Sequence, residues 1–148
     1  MDASSDTNQR RKGERALTVL LVEDDAAVAS TTAEWLRRFG YEVIACADGR
    51  QACDLAAARS EPIDLLLADV MLPGMRGPVL AGALRGCHPE MAVLFSSGYS
   101  PELLGEMFSS TMESALLLYK PYTAEQLTSR VHLALSRKAG AGAAEAEQ

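Results

Sequence analysis

The sequence predicts an α/β fold: a doubly wound, five-stranded parallel sheet with helices on both faces. Three observations predict it. Five short apolar runs recur along the chain, separated by segments whose apolar residues repeat at helical spacing. The runs are near-continuously apolar rather than alternating, as strands are when both sheet faces are covered. Right-handed crossovers between parallel strands then favour an open, doubly wound sheet. A chain of 148 residues is one domain's length and can bury its own core.

Each element has its own signal. Leu17 to Val22 is the first strand. Val28, Thr32, Trp35, Leu36 and Phe39 follow at helical spacing, with Asp25 as the cap and Gly40 as the stop. Tyr41 to Ala45 is the second strand. Asp48 caps a helix that runs to about Ala58, and Pro62 closes the loop after it. Ile63 to Ala68 is the third strand. Asp69 to Gly77, with Pro73 and Gly74, reads as a loop, and Pro78 opens a short helix. Met91 to Phe95 is the fourth strand. Ser100 and Pro101 are N-cap and N1 of a helix that Gly105 weakens and the polar stretch Ser109 to Ser114 ends. Leu103, Leu104, Met107 and Phe108 give that helix an apolar stripe. Ala115 to Tyr119 is the fifth strand. Thr123 and Gln126 form a capping box, and Leu127, Val131 and Leu135 stripe the last helix. The domain is expected over 16–137, between flexible tails at 1–15 and 138–148.

Composition removes several function classes. A net charge of −6 argues against a general nucleic-acid binder. No apolar run reaches membrane-spanning length, and the polar first fifteen residues hold no signal-peptide core. The cluster Arg10, Arg11 and Lys12 is too short to argue for a ligand. Cys46, Cys53 and Cys87 have no metal or redox spacing, so they read as free, mostly buried thiols in a reducing cytoplasm. His88 and His132 have no partner residues nearby in sequence and are expected at the surface.

The chemistry gathers at strand ends. The first strand runs into Glu23 and Asp24, the third into Asp69, the fifth into Lys120. Singly, each has an ordinary explanation: a cap, a turn residue, a surface lysine. In a parallel sheet, however, all three ends share one edge, where doubly wound sheets bind ligands. Crowded carboxylates cost stability unless a cation intervenes. Mg²⁺ takes oxygen ligands and keeps several waters. Glu23, Asp24 and Asp69, with the backbone carbonyl of Met71, offer such oxygens. With Lys120 as a second cation, the set suits phosphoryl transfer, which needs positioning and charge neutralisation, onto a carboxylate nucleophile. A serine after the fourth strand, in Ser96-Ser97-Gly98, adds a hydroxyl, and Gly98 leaves room beside it.

Four segments carry a resemblance: Val19 to Asp25, Asp64 to Gly77, Val93 to Tyr99, and Lys120-Pro121-Tyr122. In this order and at these separations the chain resembles a receiver domain of the two-component response-regulator family, over roughly Leu17 to Arg137. The resemblance implies a flavodoxin-like (βα)5 fold with strand order 2-1-3-4-5. It implies that Glu23 and Asp24 are the acidic metal pair, Asp69 the phosphoacceptor, Ser97 the switch hydroxyl and Lys120 the phosphate-contacting lysine. It further implies Mg²⁺ as cofactor and a phosphohistidine donor on a histidine kinase or histidine phosphotransfer protein. The chain would then be a cytoplasmic phosphoacceptor rather than an enzyme, signalling through a downstream protein. No output domain is expected after the last helix. The text Phe95 to Ser100 is similar to C-terminal receivers of hybrid histidine kinases.

The chain departs from that family at Leu117, where many receivers carry an aromatic residue three positions before the lysine. The expectation is intact phosphorylation with an atypical output. Met71 and Tyr99 flank the family's path for attacking water and predict slow self-dephosphorylation. Two rival readings are a phosphorylation-independent pseudo-receiver and an aspartyl-phosphate phosphatase. The haloacid-dehalogenase type of phosphatase needs an aspartate where Met71 stands. A flavin carrier is disfavoured by the acidic loop after the first strand.

Overall fold

The computed structural model describes residues 15–108 and 115–147, with side chains as far as Arg137. The chain order is β1 (Thr18–Val22), α1 (Ala26–Arg38), β2 (Glu42–Cys46), α2 (Gly49–Ala58) and β3 (Leu65–Asp69). It continues with β4 (Met71–Leu72), β5 (Met75–Arg76), α3 (Gly77–Arg85), β6 (Ala92–Ser97), α4 (Pro101–Phe108), β7 (Leu117–Tyr119) and α5 (Ala124–Glu147). Five strands form one parallel sheet in the order β2-β1-β3-β6-β7. Numbered among themselves these are 2-1-3-4-5, the expected arrangement.

The sheet separates two cores, and strand alternation assigns residues to each. Leu20 and Val22 of β1 and Leu66 and Ala68 of β3 face one side, with Ala52 and Ala56 of α2, Leu80 and Leu84 of α3, and Leu104 and Phe108 of α4. Val19, Leu21, Leu65 and Leu67 face the other, with Ala33 and Leu36 of α1 and Leu127 and Val131 of α5. Double coverage is why β1 and β3 are buried at every position. The edge strand β2 is not: Glu42 and Ala45 are exposed, Val43 and Ile44 are half-buried, and Cys46 alone of its five residues is buried.

Several boundaries move, for identifiable reasons. The third strand begins at Leu65 rather than Ile63, and the Asp64 carboxylate just before it makes contacts of its own. It accepts the Thr18 amide at 2.8 Å and both Arg15 guanidinium nitrogens at 2.7 and 2.8 Å. Arg15, assigned to a tail, is therefore tied to the base of the sheet. The loop after Asp69 holds an antiparallel hairpin, Met71 opposite Arg76 and Leu72 opposite Met75. Pro73 and Gly74 make its turn, and Gly74 adopts φ +74°, which glycine takes without strain. The second and fourth strands shift one residue toward the C-terminus, to Glu42–Cys46 and Ala92–Ser97, and the latter extends through both serines. The last helix does not stop at Arg137 but continues to Glu147, through an Ala-rich stretch with good helix propensity. The stretch Ser109 to Ser114 lies outside the described residues.

The caps follow the sequence. The Asp25 carboxylate accepts the amides of Ala27 and Val28, Asp48 that of Gln51, and Ser100 that of Leu103. Thr123 and Gln126 exchange both bonds of the capping box. His132 is exposed as expected, but His88 is not. It is 7% exposed, with Nδ1 accepting the Ile63 amide at 3.4 Å and Nε2 3.0 Å from the Ala56 carbonyl. Its partners are backbone groups brought in by folding, which sequence neighbours cannot announce. All three cysteines are free, yet only Cys46 is buried: Cys53 is half-buried and Cys87 exposed.

Candidate functional site

The carboxyl ends of β1, β3 and β7 bring the acidic and basic signals together. Glu23 follows β1 directly, and its amide donates to the Cys46 carbonyl at 3.0 Å. Its side chain is buried, and Oε2 accepts the Asp25 amide at 3.1 Å. Thus the residue that caps α1 also orients Glu23. Asp24 is exposed beside it. Asp69 ends β3 opposite Ser96 and is 8% exposed. Its Oδ1 accepts the Met71 amide at 2.9 Å, and its Oδ2 takes the Lys120 ammonium at 2.5 Å. The same Nζ lies 2.6 Å from Glu23 Oε1.

Lys120 therefore joins two strands that are not neighbours, since β3 and β6 lie between β1 and β7. Burial opposes its charge, but hydrogen bonds to Asp69 and Glu23 outweigh burial and raise its pKa above the usual 10.5. One oxygen from each of Glu23, Asp24 and Asp69 lies within 4.8 Å of the others. All three donors are hard oxygens, two of them buried, and their local charge exceeds what one ammonium balances. The set fits a divalent cation of the Mg²⁺ type, which prefers oxygen ligands and keeps waters. Met71 is half-buried at the edge of this cluster, its amide already used by Asp69.

Ser97 is fully buried at the end of β6. Its hydroxyl accepts the Tyr99 amide at 2.9 Å and donates to the Tyr99 carbonyl at 3.2 Å. Here the hydroxyl serves a local turn, while the Ser97 carbonyl accepts the Lys120 amide at 2.7 Å. A methyl group placed on Gly98 would meet nothing within 4 Å apart from its chain neighbours. Gly77 is different. A Cβ there would lie 2.7 Å from the Asp69 carbonyl oxygen and 3.0 Å from the Phe95 ring. The Gly77 amide bonds the Val70 carbonyl at 2.7 Å, so α3 starts hard against the acceptor strand. From sequence, Gly77 reads as one more loop glycine; only the close approach distinguishes it.

Tyr122 closes the Lys120-Pro121-Tyr122 segment. Its hydroxyl bonds Thr32 Oγ1 of α1 at 2.7 Å, and its ring meets Trp35 edge-on with centroids 6.4 Å apart. Burial raises its pKa above the usual 10.0, against the lowering effect of the Thr32 bond.

A profile of the response regulator receiver domain matches residues 19–132. The chain belongs to the response regulator receiver family. The receiver is 32% identical over 121 residues to the sensor kinase CckA of Brucella abortus, covering 82% of this chain and 13% of CckA. It is 34% identical over 119 residues to the transcriptional regulatory protein CpxR of Escherichia coli K12, covering 80% of this chain and 49% of CpxR. The chain thus spans at most about half of these relatives' length. Among solved structures, the receiver domain of the hybrid histidine kinase CckA superposes with a TM-score of 0.66 at 37% identity, covering 80% of this chain and 98% of that one. A CheY-like receiver from Methanospirillum hungatei JF-1 gives 0.70 at 27% identity, covering 85% and 98%. The receiver is therefore a two-component signalling domain. Among the described residues, no helix is long and apolar enough to cross a membrane.

Proposed function

We propose that Asp69 accepts a phosphoryl group from a phosphohistidine of a histidine kinase or phosphotransfer protein, in the presence of Mg²⁺. The observation that carries this reading is the Lys120 ammonium, shared between Asp69 and Glu23 inside a cluster of three carboxylates. A half-buried lysine between two carboxylates is a ready counter-charge for an incoming phosphate. One Asp69 carboxylate oxygen forms the bond to phosphorus. The phosphorus–nitrogen bond breaks, and its electron pair returns to the donor imidazole. Lys120 balances the added negative charge, and the Met71 amide orients the carboxylate. Ser97 turns from Tyr99 toward a phosphoryl oxygen. Glu23, Asp24, Asp69 and the Met71 carbonyl would hold the metal. When bound, the cation would neutralise phosphoryl oxygens beside the carboxylate.

In this reading the receiver is a phosphoacceptor and not a turnover enzyme, and it signals by binding a downstream protein. It acts in the cytoplasm, where its kinase would phosphorylate it. Incubation with acetyl phosphate and MgCl₂, read by intact mass, tests the reading. A single phosphate adduct on the wild type, absent in Asp69→Ala, is expected. No adduct on the wild type would overturn it and favour a phosphorylation-independent binding module.

A further inference from the structure

Lys120 directly follows the shortest strand of the five-stranded sheet. β7 has three residues and is paired on one side only, to β6. Its ammonium reaches across to Glu23, beyond β1. A second bridge spans the same gap: Tyr122, two residues after Lys120, bonds Thr32 of α1, the helix that begins just after Glu23 and Asp24. Thr32 is 1% exposed, and the Tyr122 ring packs with Trp35 and the α1–α5 core. The two bridges differ in one respect. Accepting a phosphoryl group at Asp69 changes what Lys120 pairs with, so the ionic bridge is spent during the reaction. The hydroxyl bridge is not.

We propose that the Tyr122–Thr32 hydrogen bond is a positioning strut for Lys120. It holds the loop after β7 against α1 while the ammonium exchanges carboxylate for phosphate. Lysine carries a point charge on a flexible stem, so its placement depends on where its backbone is held. One anchor is the Lys120 amide on the Ser97 carbonyl, from inside the sheet. The other is Tyr122. Neither Tyr122 nor Thr32 touches the phosphoryl group. Both act through Lys120, and a displacement of about 1 Å suffices to slow a reaction of this kind. This inference deepens the phosphoacceptor reading and rests on it.

The test uses the full chain with acetyl phosphate and saturating MgCl₂. Phosphorylation rate and thermal midpoint are measured for wild type, Tyr122→Phe, Thr32→Val, Thr32→Ser and the double variant Tyr122→Phe/Thr32→Val. Tyr122→Phe keeps the ring and loses only the hydroxyl. Tyr122→Phe and Thr32→Val are each expected to slow phosphorylation roughly three- to tenfold, the worth of one hydrogen bond. The double variant should be no slower than either single, because one bond is lost once. Thr32→Ser, which keeps a hydroxyl, should restore the rate. Wild-type rates in both single variants would overturn the proposal. So would a Thr32→Ser rate as low as that of Thr32→Val, or rates that track only the thermal midpoint. A wild-type chain that takes no phosphate would instead overturn the phosphoacceptor reading, and the strut with it.

Discussion

Leu117 lies opposite Phe95 across β7 and β6, and both side chains pack in the core cluster that contains Phe108 of α4. A leucine there fills part of the space between sheet and helix but offers no ring or hydroxyl to move. The aromatic residue of this segment is Tyr119, at the sheet edge and 36% exposed. With a beryllofluoride phosphoryl mimic and MgCl₂, amide shifts are expected at Asp69, Ser97, Tyr99 and Lys120. Ring-current shifts from a tyrosine moving into the core are not. Large shifts of that kind around Leu117 would contradict the atypical output.

Self-dephosphorylation should be slow. Met71 is half-buried and Tyr99 is 39% exposed, and neither side chain orients water as a carboxylate or amide does. Met71→Asn should shorten the half-life of phosphorylated Asp69 by about fivefold, well below the effect of a full general base. An unchanged or longer half-life in that variant would reject this account.

Gly77→Ala should damage both fold and site. Its added Cβ meets backbone at the Asp69 carbonyl, which cannot rotate away. The expected cost is about 1–3 kcal/mol, typical of overpacking, with slower acetyl-phosphate phosphorylation. Gly98→Ala is the control: its Cβ meets nothing within 4 Å, and urea unfolding should show little change.

Stability should fall in alkali. Burial, with a smaller effect of Asp48, raises the Cys46 thiol above 9.0, and burial raises Tyr122 above 10.0. The unfolded chain deprotonates first at both positions, so it binds fewer protons than the native state and stability declines as pH rises. The contribution is intact below pH 9.0 and is lost as pH climbs through the folded values. Lys120, held charged by its partners, adds the same sign above 10.5. Urea unfolding from about pH 8 to 11 measures the slope. Tyr122→Phe should flatten its upper part and Cys46→Ala its onset; a slope unchanged by both would reject the assignment.

The pattern of apolar runs and helical spacings determined the α/β class and the sheet's double coverage. Period and run length report which faces of an element are buried, and those are local properties. Caps such as Asp25, Asp48 and Thr123 with Gln126 were legible for the same reason: both partners lie within four residues. Glu23, Asp24, Asp69 and Lys120 could be placed on one edge because parallel strands point their ends the same way. Only the tertiary structure decided the rest. Arg15 meets Asp64, His88 meets Ala56 and Ile63, Lys120 meets Glu23, and Tyr122 meets Thr32. Each is a contact between residues 25 to 97 positions apart, formed by a polar atom whose partner is selected by packing. The hairpin after Asp69 and the crowding at Gly77 belong with them. A two-residue strand has no period to read, and a glycine's neighbours exist only once the chain has folded.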